Sequence, residues 1–215
     1  MIVNEIFTSI DGEVNRWGQG ILTTFVRLQG CNLRCDYCDT PDALEFADLI
    51  HDVSIAEVIT EIANKECKKV TITGGEPVAQ HDFFELLDLL MRYEYWVSIE
   101  TNGTYLIPIP YLNDERLSWV VDYKWEYQER MRMNWTALSE NDWIKFLVNE
   151  DNVMGIFSKI KEMRKEGVSA RIAVSDVSSP EAIHVNHVWL MNLLIKERMF
   201  DVSLNVQLHK LIGIA

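Results

Sequence analysis

At 215 residues the chain is long enough to bury a sizeable core, and its apolar and charged fractions are those of an ordinary globular protein. No apolar run approaches the roughly 18–20 residues that a membrane span requires, so no membrane partner is expected. A net charge of −13 disfavours a broad phosphate-tracking surface, so no nucleic-acid partner is expected either.

Residues 1–13 carry acids where a secretory leader would carry bases and a long apolar stretch, which points to a cytoplasmic address. Ile2–Phe7 is expected as a first strand. Ile21–Leu28 is the next, and the cysteine-rich stretch Gly30-Cys-Asn-Leu-Arg-Cys-Asp-Tyr-Cys-Asp-Thr40 follows it at once. Ser54-Ile-Ala-Glu57 is a capping box opening a helix to about Asn64. Strand-like Lys69–Thr73 leads into Thr73-Gly-Gly-Glu-Pro77, then a helix over Asp82–Arg92 and strands at Tyr95–Glu100 and Ser118–Tyr123. The aromatic stretch Lys124–Asp142 fits no regular element and is open between core and oligomer surface. Beyond it come a strand at Trp143–Val148, a helix over Asn152–Lys165 closed by Gly167, and a strand at Ala170–Ser175. A helix from Pro180 to about Arg198 and a strand at Val202–Gln207 complete the chain. Strands alternating with helices imply right-handed βαβ units in a parallel sheet, and one domain spanning 1–215 is the economical count. Such sheets place their chemistry at the carboxyl ends of their strands.

The cysteine loop sits at such an end. In a cytosolic chain clustered cysteines point to metal ligands or catalytic thiols before disulfides. The spacing Cys31-x3-Cys35-x2-Cys38 lets one short loop ligate three irons of a [4Fe-4S] cubane, leaving the fourth iron open. That iron can bind the amine and carboxylate of S-adenosylmethionine (SAM). Electron transfer into the sulfonium then releases a 5′-deoxyadenosyl radical. A structural zinc site with Cys67 as fourth ligand is the alternative, although Cys67 is better explained as a buried free thiol.

The cysteine loop and Thr73-Gly-Gly-Glu-Pro77 resemble the cluster and glycine-rich motifs of the radical SAM enzymes. Glycines there let backbone reach the ligand's ammonium without a Cβ in the way. Phe7-Thr-Ser-Ile-Asp-Gly-Glu13, Arg27-Leu-Gln-Gly30, Cys38-Asp-Thr40, Glu100-Thr-Asn-Gly103 and Gln207-Leu-His-Lys210 are together similar to the 7-carboxy-7-deazaguanine synthase family, in order and over essentially the whole chain. The resemblance implies conversion of 6-carboxy-5,6,7,8-tetrahydropterin to 7-carboxy-7-deazaguanine by ring contraction with loss of ammonia, using SAM and Mg2+. It also implies a partial, open β/α barrel of about six core parallel strands, with fewer helices than strands, plus the N-terminal strand.

By the same resemblance Cys31, Cys35 and Cys38 hold the cluster. Tyr37, Cys38, Asp39, Gly75, Asp122, Lys124 and Ser175 would contact SAM, and Thr40 would be the protein's magnesium ligand. Ile10, Asp11, Gly12, Glu13, Arg27, Thr73, His209 and the terminal carboxylate of Ala215 would contact the pterin. The bland readings are a surface charge for Arg27, turn residues for Thr40 and Ser175, and a frayed end for the tail. Two departures from the family pattern stand out: Asp11 where a glutamine is common, and Asp122-Tyr-Lys124 where Ser-Pro-Lys is frequent. A homodimer and a flavodoxin- or ferredoxin-type electron donor are expected as partners. The acidic surface admits such a donor only through a local basic patch. The rival functions are a glycyl-radical enzyme activase, which shares the cysteine loop, and a non-catalytic zinc-stabilised binding module.

Overall fold

Among the described residues eight strands lie side by side in chain order in a single sheet: β1 (Val3–Ile10), β2 (Leu22–Leu28), β3 (Lys69–Gly74), β4 (Trp96–Thr101), β5 (Leu117–Tyr123), β6 (Trp143–Val148), β7 (Arg171–Asp176) and β8 (Val202–Leu204). This is a computed structural model that describes residues 1–46, 52–176 and 183–214. Strands β2 to β8 are parallel, seven where about six were expected, and β1 runs antiparallel to β2 as a hairpin partner. Helices α1 (Ile55–Asn64), α2 (Phe83–Arg92), α3 (Val153–Lys165), α4 (Ile183–Lys196) and the short α5 (Leu208–Ile212) are fewer than the strands, as anticipated. The predicted beginning of α4 at Pro180, and Ala215, lie outside the described residues.

Side-chain alternation sorts the sheet into two unlike faces. Outward-pointing Val26, Leu28, Val70, Ile72, Val97, Ile99, Ile144, Phe146, Ile172 and Val174 are fully buried and join one apolar cluster with the helices. Each such side chain contributes about 1.5–3 kcal/mol on burial. The alternate residues Thr71, Thr73, Ser98, Asp122, Lys145 and Ser175 point inward, and a small apolar plug of Val14, Val120, Trp143 and Ala173 fills part of that side. The apolar outer face therefore supports the fold, and the polar inner face is left for chemistry.

The local signals act as expected. Ser54 Oγ accepts from Glu57 N–H while the Glu57 carboxylate accepts from Ser54 N–H at 2.8 Å, which starts α1. Gly167, at φ +85°, follows the end of α3. In the aromatic stretch after β5, Trp125 and Trp135 are partly buried, lie 6.4 and 5.5 Å from the Tyr123 ring and pack on the main cluster.

Strands β1 and β8 are the two free edges, so the barrel is open along one seam. Loop and side-chain hydrogen bonds close it. Val14 N–H donates to Asn205 Oδ1 at 3.0 Å and Leu208 N–H donates to Gly12 O at 3.1 Å. Gln19 Nε2 donates to Gly12 O and Val206 O at 2.8 and 2.7 Å. This explains why β8 ends at Leu204 rather than Gln207: from Asn205 onward the polar side chains turn into the seam.

Candidate active site

Where β2 ends, Gly30 adopts φ +95° and the cysteine loop folds back on itself. Gly30 N–H donates to Ala43 O at 2.8 Å and Cys31 N–H to Leu44 O at 2.9 Å, closing the loop at its base. The glycine turn after β3 docks on that base through backbone alone: Gly75 N–H meets Leu28 O and Glu76 N–H meets Gly30 O, both at 2.8 Å. A Cβ on Gly75 would fall 2.0 Å from Gly30 O, so only glycine permits the approach.

Cys31, Cys35 and Cys38 are free thiols that face one cavity. Burial pushes the Cys31 and Cys35 thiols up, in Cys35 against the pull of the Lys124 ammonium. Ionising thiols buried in this way takes a cationic partner such as a metal ion. Cys67 is half-buried rather than fully buried, and its thiol donates to Leu22 O. It lies at the opposite end of β2 from the loop, which removes it as a fourth zinc ligand.

The cavity has a volume of about 810 Å3, within the range of small-molecule sites. Its wall carries a chain of alternating charges. Lys145 Nζ lies 2.9 Å from Glu13 Oε2 and 3.0 Å from Asp122 Oδ1, and Lys124 Nζ lies 2.9 Å from Asp122 Oδ2. Burial opposes the charge on Asp122, but Lys124 and Lys145 outweigh it and hold the carboxyl below its usual range. Burial likewise opposes the Lys145 ammonium, and Asp122, Glu13 and Glu100 keep it charged. Glu100 is the opposite case: burial, with Glu13 and Asp11 nearby, pushes its carboxyl up to about 8. It accepts from Thr73 Oγ at 2.6 Å. Burial also raises the carboxyl of Glu76, to about 7, while it caps the loop after β4 through Thr101 Oγ and Asn102 N–H.

The C-terminal tail forms the remaining wall. Gln207 Nε2 donates to Glu13 Oε1 at 2.7 Å, and Lys210 Nζ lies 2.8 Å from Asp39 Oδ2. His209 packs against Gly12, where a Cβ would fall 2.0 Å from its Nδ1, and burial lowers its pKa so that the ring is neutral at pH 7.

The residues singled out in the sequence converge on this cavity. Ile10, Gly12, Glu13, Arg27, Cys31, Cys35, Tyr37, Cys38, Asp39 and Thr40 line it from the N-terminal half. Thr73, Gly75, Asp122, Lys124, Ser175 and His209 line it from the rest of the chain. Asp11 does not. It is buried beneath the turn, where its carboxylate pairs with Lys69 Nζ and accepts from Thr71 Oγ at 2.9 Å. That ion pair occupies the carboxylate, and Ala215 lies outside the described residues. Arg27 faces the cavity but is paired with Glu5 at 2.7 Å. Tyr37 donates to Glu126 Oε2 at 2.7 Å, and Thr40 Oγ lies 3.8 Å from Cys38 Sγ. Ser175 Oγ exchanges hydrogen bonds with Asn205. Sequence reasoning gave no individual role to Glu100, Gln207 and Lys210, although all three lie in the quoted stretches Glu100-Thr-Asn-Gly103 and Gln207-Leu-His-Lys210, and it missed Lys145 and Asn205. For Lys145 the available signal was a lysine alternating with apolar residues in the buried strand Trp143–Val148.

Comparisons with known proteins agree with this geometry. The family model of the radical SAM superfamily matches residues 25–178. A 7-carboxy-7-deazaguanine synthase of Clostridium acetobutylicum is 32% identical, covering 98% of this chain and 95% of the relative. One from Methanospirillum hungatei is 33% identical over 100% of this chain and 86% of its own. Among solved structures, the crystal structure of QueE from Escherichia coli superposes with a TM-score of 0.70 at 23% identity, covering 94% of this chain and 92% of that one. Streptococcus suis SuiB bound to S-adenosylmethionine gives 0.55 at 13% identity, over 82% of this chain and 44% of that one. The two structural matches show a shared fold.

Proposed function

The chain belongs to the radical SAM superfamily and, within it, to the 7-carboxy-7-deazaguanine synthases, and from that premise we propose how its own residues divide the work. The enzyme is a carbon-nitrogen lyase that converts 6-carboxy-5,6,7,8-tetrahydropterin to 7-carboxy-7-deazaguanine in 7-deazapurine and queuosine biosynthesis. The observation that carries the assignment of roles is a single cavity walled on one side by the three cysteines and on the other by the Ile10–Glu13 turn and the C-terminal tail.

The donor set suits the groups the superfamily uses: three free sulfurs on one loop, a glycine turn without Cβ atoms, and one threonine hydroxyl two residues past Cys38. A [4Fe-4S] cluster on Cys31, Cys35 and Cys38, with SAM, supplies the 5′-deoxyadenosyl radical. Gly75 offers backbone to the ammonium of SAM, while Lys124, Asp122, Asp39, Tyr37 and Ser175 surround the remainder. Glu13, oriented by Lys145, Asn205 and Gln207, accepts from the amide and amino edge of the pterin. Arg27 leaves Glu5 to pair with the substrate carboxylate. Thr73 and neutral His209 hydrogen-bond the ring system. Glu100 keeps its proton at neutral pH and stands as a proton source for the departing nitrogen. Thr40 Oγ would be the protein ligand of a Mg2+, whose charge would help hold the substrate carboxylate, since magnesium takes few protein ligands. The protein works as one domain in the cytoplasm, as a homodimer, and takes electrons from a flavodoxin- or ferredoxin-type donor.

The test is turnover of the carboxypterin by anaerobically reconstituted protein. The preparation should be brown, absorb near 400 nm and hold roughly four irons and four sulfides per chain, which zinc cannot mimic. Absence of deazaguanine product from such protein overturns the assignment. Thr40→Ala should abolish the stimulation by Mg2+ while leaving iron content unchanged. An unaltered magnesium titration removes Thr40 as a ligand.

A further inference from the structure

Asn102 follows β4 at the edge of the cysteine loop and is 6% exposed. Every polar atom of its side chain is engaged. Oδ1 accepts from Thr104 N–H at 3.0 Å and from Thr104 Oγ at 2.7 Å. One hydrogen of Nδ2 goes to Asn32 Oδ1 at 2.9 Å, and the other faces Cys31 Sγ, 3.8 Å away. Asn32 Nδ2 returns to Thr104 Oγ at 2.8 Å, closing a ring, and the Asn102 backbone N–H is held by Glu76 Oε2 at 2.6 Å. The amide cannot turn away from the sulfur without breaking several of these bonds. Cys31 Sγ already accepts from Leu33 N–H at 3.4 Å, so the asparagine is its second amide donor.

Amide donors on a cluster sulfur stabilise the reduced, more negative form and so raise its reduction potential. A neutral amide does this without placing another charge in the cavity. We infer that Asn102 is a positioning residue whose amide, fixed by Thr104, Asn32 and Glu76, is aimed at Cys31 Sγ and makes the cluster easier to reduce. The inference rests on the cluster assignment proposed above.

The test uses reconstituted full-length protein with Asn102→Leu and Asn102→Asp. The aspartate keeps the oxygen that accepts from Thr104 and loses the donor to sulfur. Iron and sulfide content is measured first, then the midpoint potential by a redox titration followed through the paramagnetic signal of the reduced cluster. Both variants are expected to carry the full complement of iron. At the wild-type midpoint the reduced-to-oxidised ratio should fall roughly three- to tenfold in the leucine variant, the value of one hydrogen bond. The fall should be larger in the aspartate variant, which adds a negative charge. Unchanged midpoints in both overturn the inference. Loss of iron from both variants with wild-type circular dichroism also overturns it, by assigning Asn102 to holding the loop rather than tuning it. Wild-type protein that binds no iron refutes instead the underlying cluster assignment, and does so before any potential is read.

Discussion

Lys210 Nζ lies 2.8 Å from Asp39 Oδ2, an ion pair that joins the C-terminal helix to the residue after the last cysteine of the loop. Burial opposes the charge on Asp39, but the Lys210 pairing overcomes it and holds the carboxyl at about 2. The pair is partly exposed, with side-chain exposures of 33% and 52%, so its share of global stability is at most about 1 kcal/mol. Its effect is local. Lys210→Ala is expected to leave the melting temperature and iron content near wild type. The KM for SAM should rise about two- to fivefold as the tail loosens from the loop. Steady-state kinetics across SAM concentrations checks this, and an unchanged KM would separate the tail from the cofactor side of the cavity.

Lys145 carries a heavier load because it is buried between two carboxylates, Glu13 and Asp122. Lys145→Met leaves both acids buried without their shared cation, and loss of one member of a buried charge network costs about 3–5 kcal/mol. Urea denaturation of the apoprotein should show a lower midpoint with an unchanged slope. A midpoint equal to wild type would mean that water replaces the ammonium.

Gly75→Ala tests the contact between the two motif loops. The added Cβ would fall 2.0 Å from Gly30 O and 2.8 Å from Ala43 O, and backbone on both sides leaves nothing flexible to yield. Most of the iron should be lost on reconstitution while far-ultraviolet circular dichroism stays as in wild type, since the clash is confined to the loops. Full iron loading would show that the loops separate freely.

Glu100 sets a pH dependence whose sign is the reverse of the usual surface acid. Its folded carboxyl titrates at about 8, against 4.5 for an unperturbed glutamate, because burial and then Glu13 disfavour its charge. Across that window the folded state binds the extra proton. Stability is therefore highest below it and falls as pH rises through it. Glu76, pushed to about 7, adds to the slope in the same direction. Glu100→Gln keeps an acceptor for Thr73 and should flatten, without abolishing, the decline in stability between about pH 5 and 8. Thermal melts across that range check it, and identical slopes for the two proteins would mean that Glu100 is already ionised.

How far the site could be foreseen depended on whether its chemistry is written locally. Cys31, Cys35 and Cys38 announce themselves by spacing, and Gly75 by its place after a strand, because each loop carries its whole geometry in a few residues. Lys145 could not be found in that way. Asp122 meets it through the register of β5 with β6, and Glu13 reaches it from the turn after β1, 132 residues away. Asp11 shows the same dependence in reverse: it sits in a turn that resembles a substrate-reading motif, and the partner of its carboxylate, Lys69, lies 58 residues away. The strand series was legible because alternation on β-branched residues survives without knowledge of neighbours. The shortening of β8 was not, because it follows from where Asn205 and Gln207 find partners across the seam.

That seam divides the molecule into parts that open on different timescales. Parting β2 from β3 would mean unzipping a continuous ladder backed by apolar packing, an event close to global unfolding. Parting the tail from the Ile10–Glu13 turn breaks side-chain and loop hydrogen bonds around Gly12, Glu13, Gln19, Asn205 and Gln207 with no strand ladder among them, which places it among local fluctuations of low free energy. The cavity can thus breathe at one edge while its apolar outer shell stays closed, and the pace at which small molecules come and go is uncoupled from the lifetime of the fold.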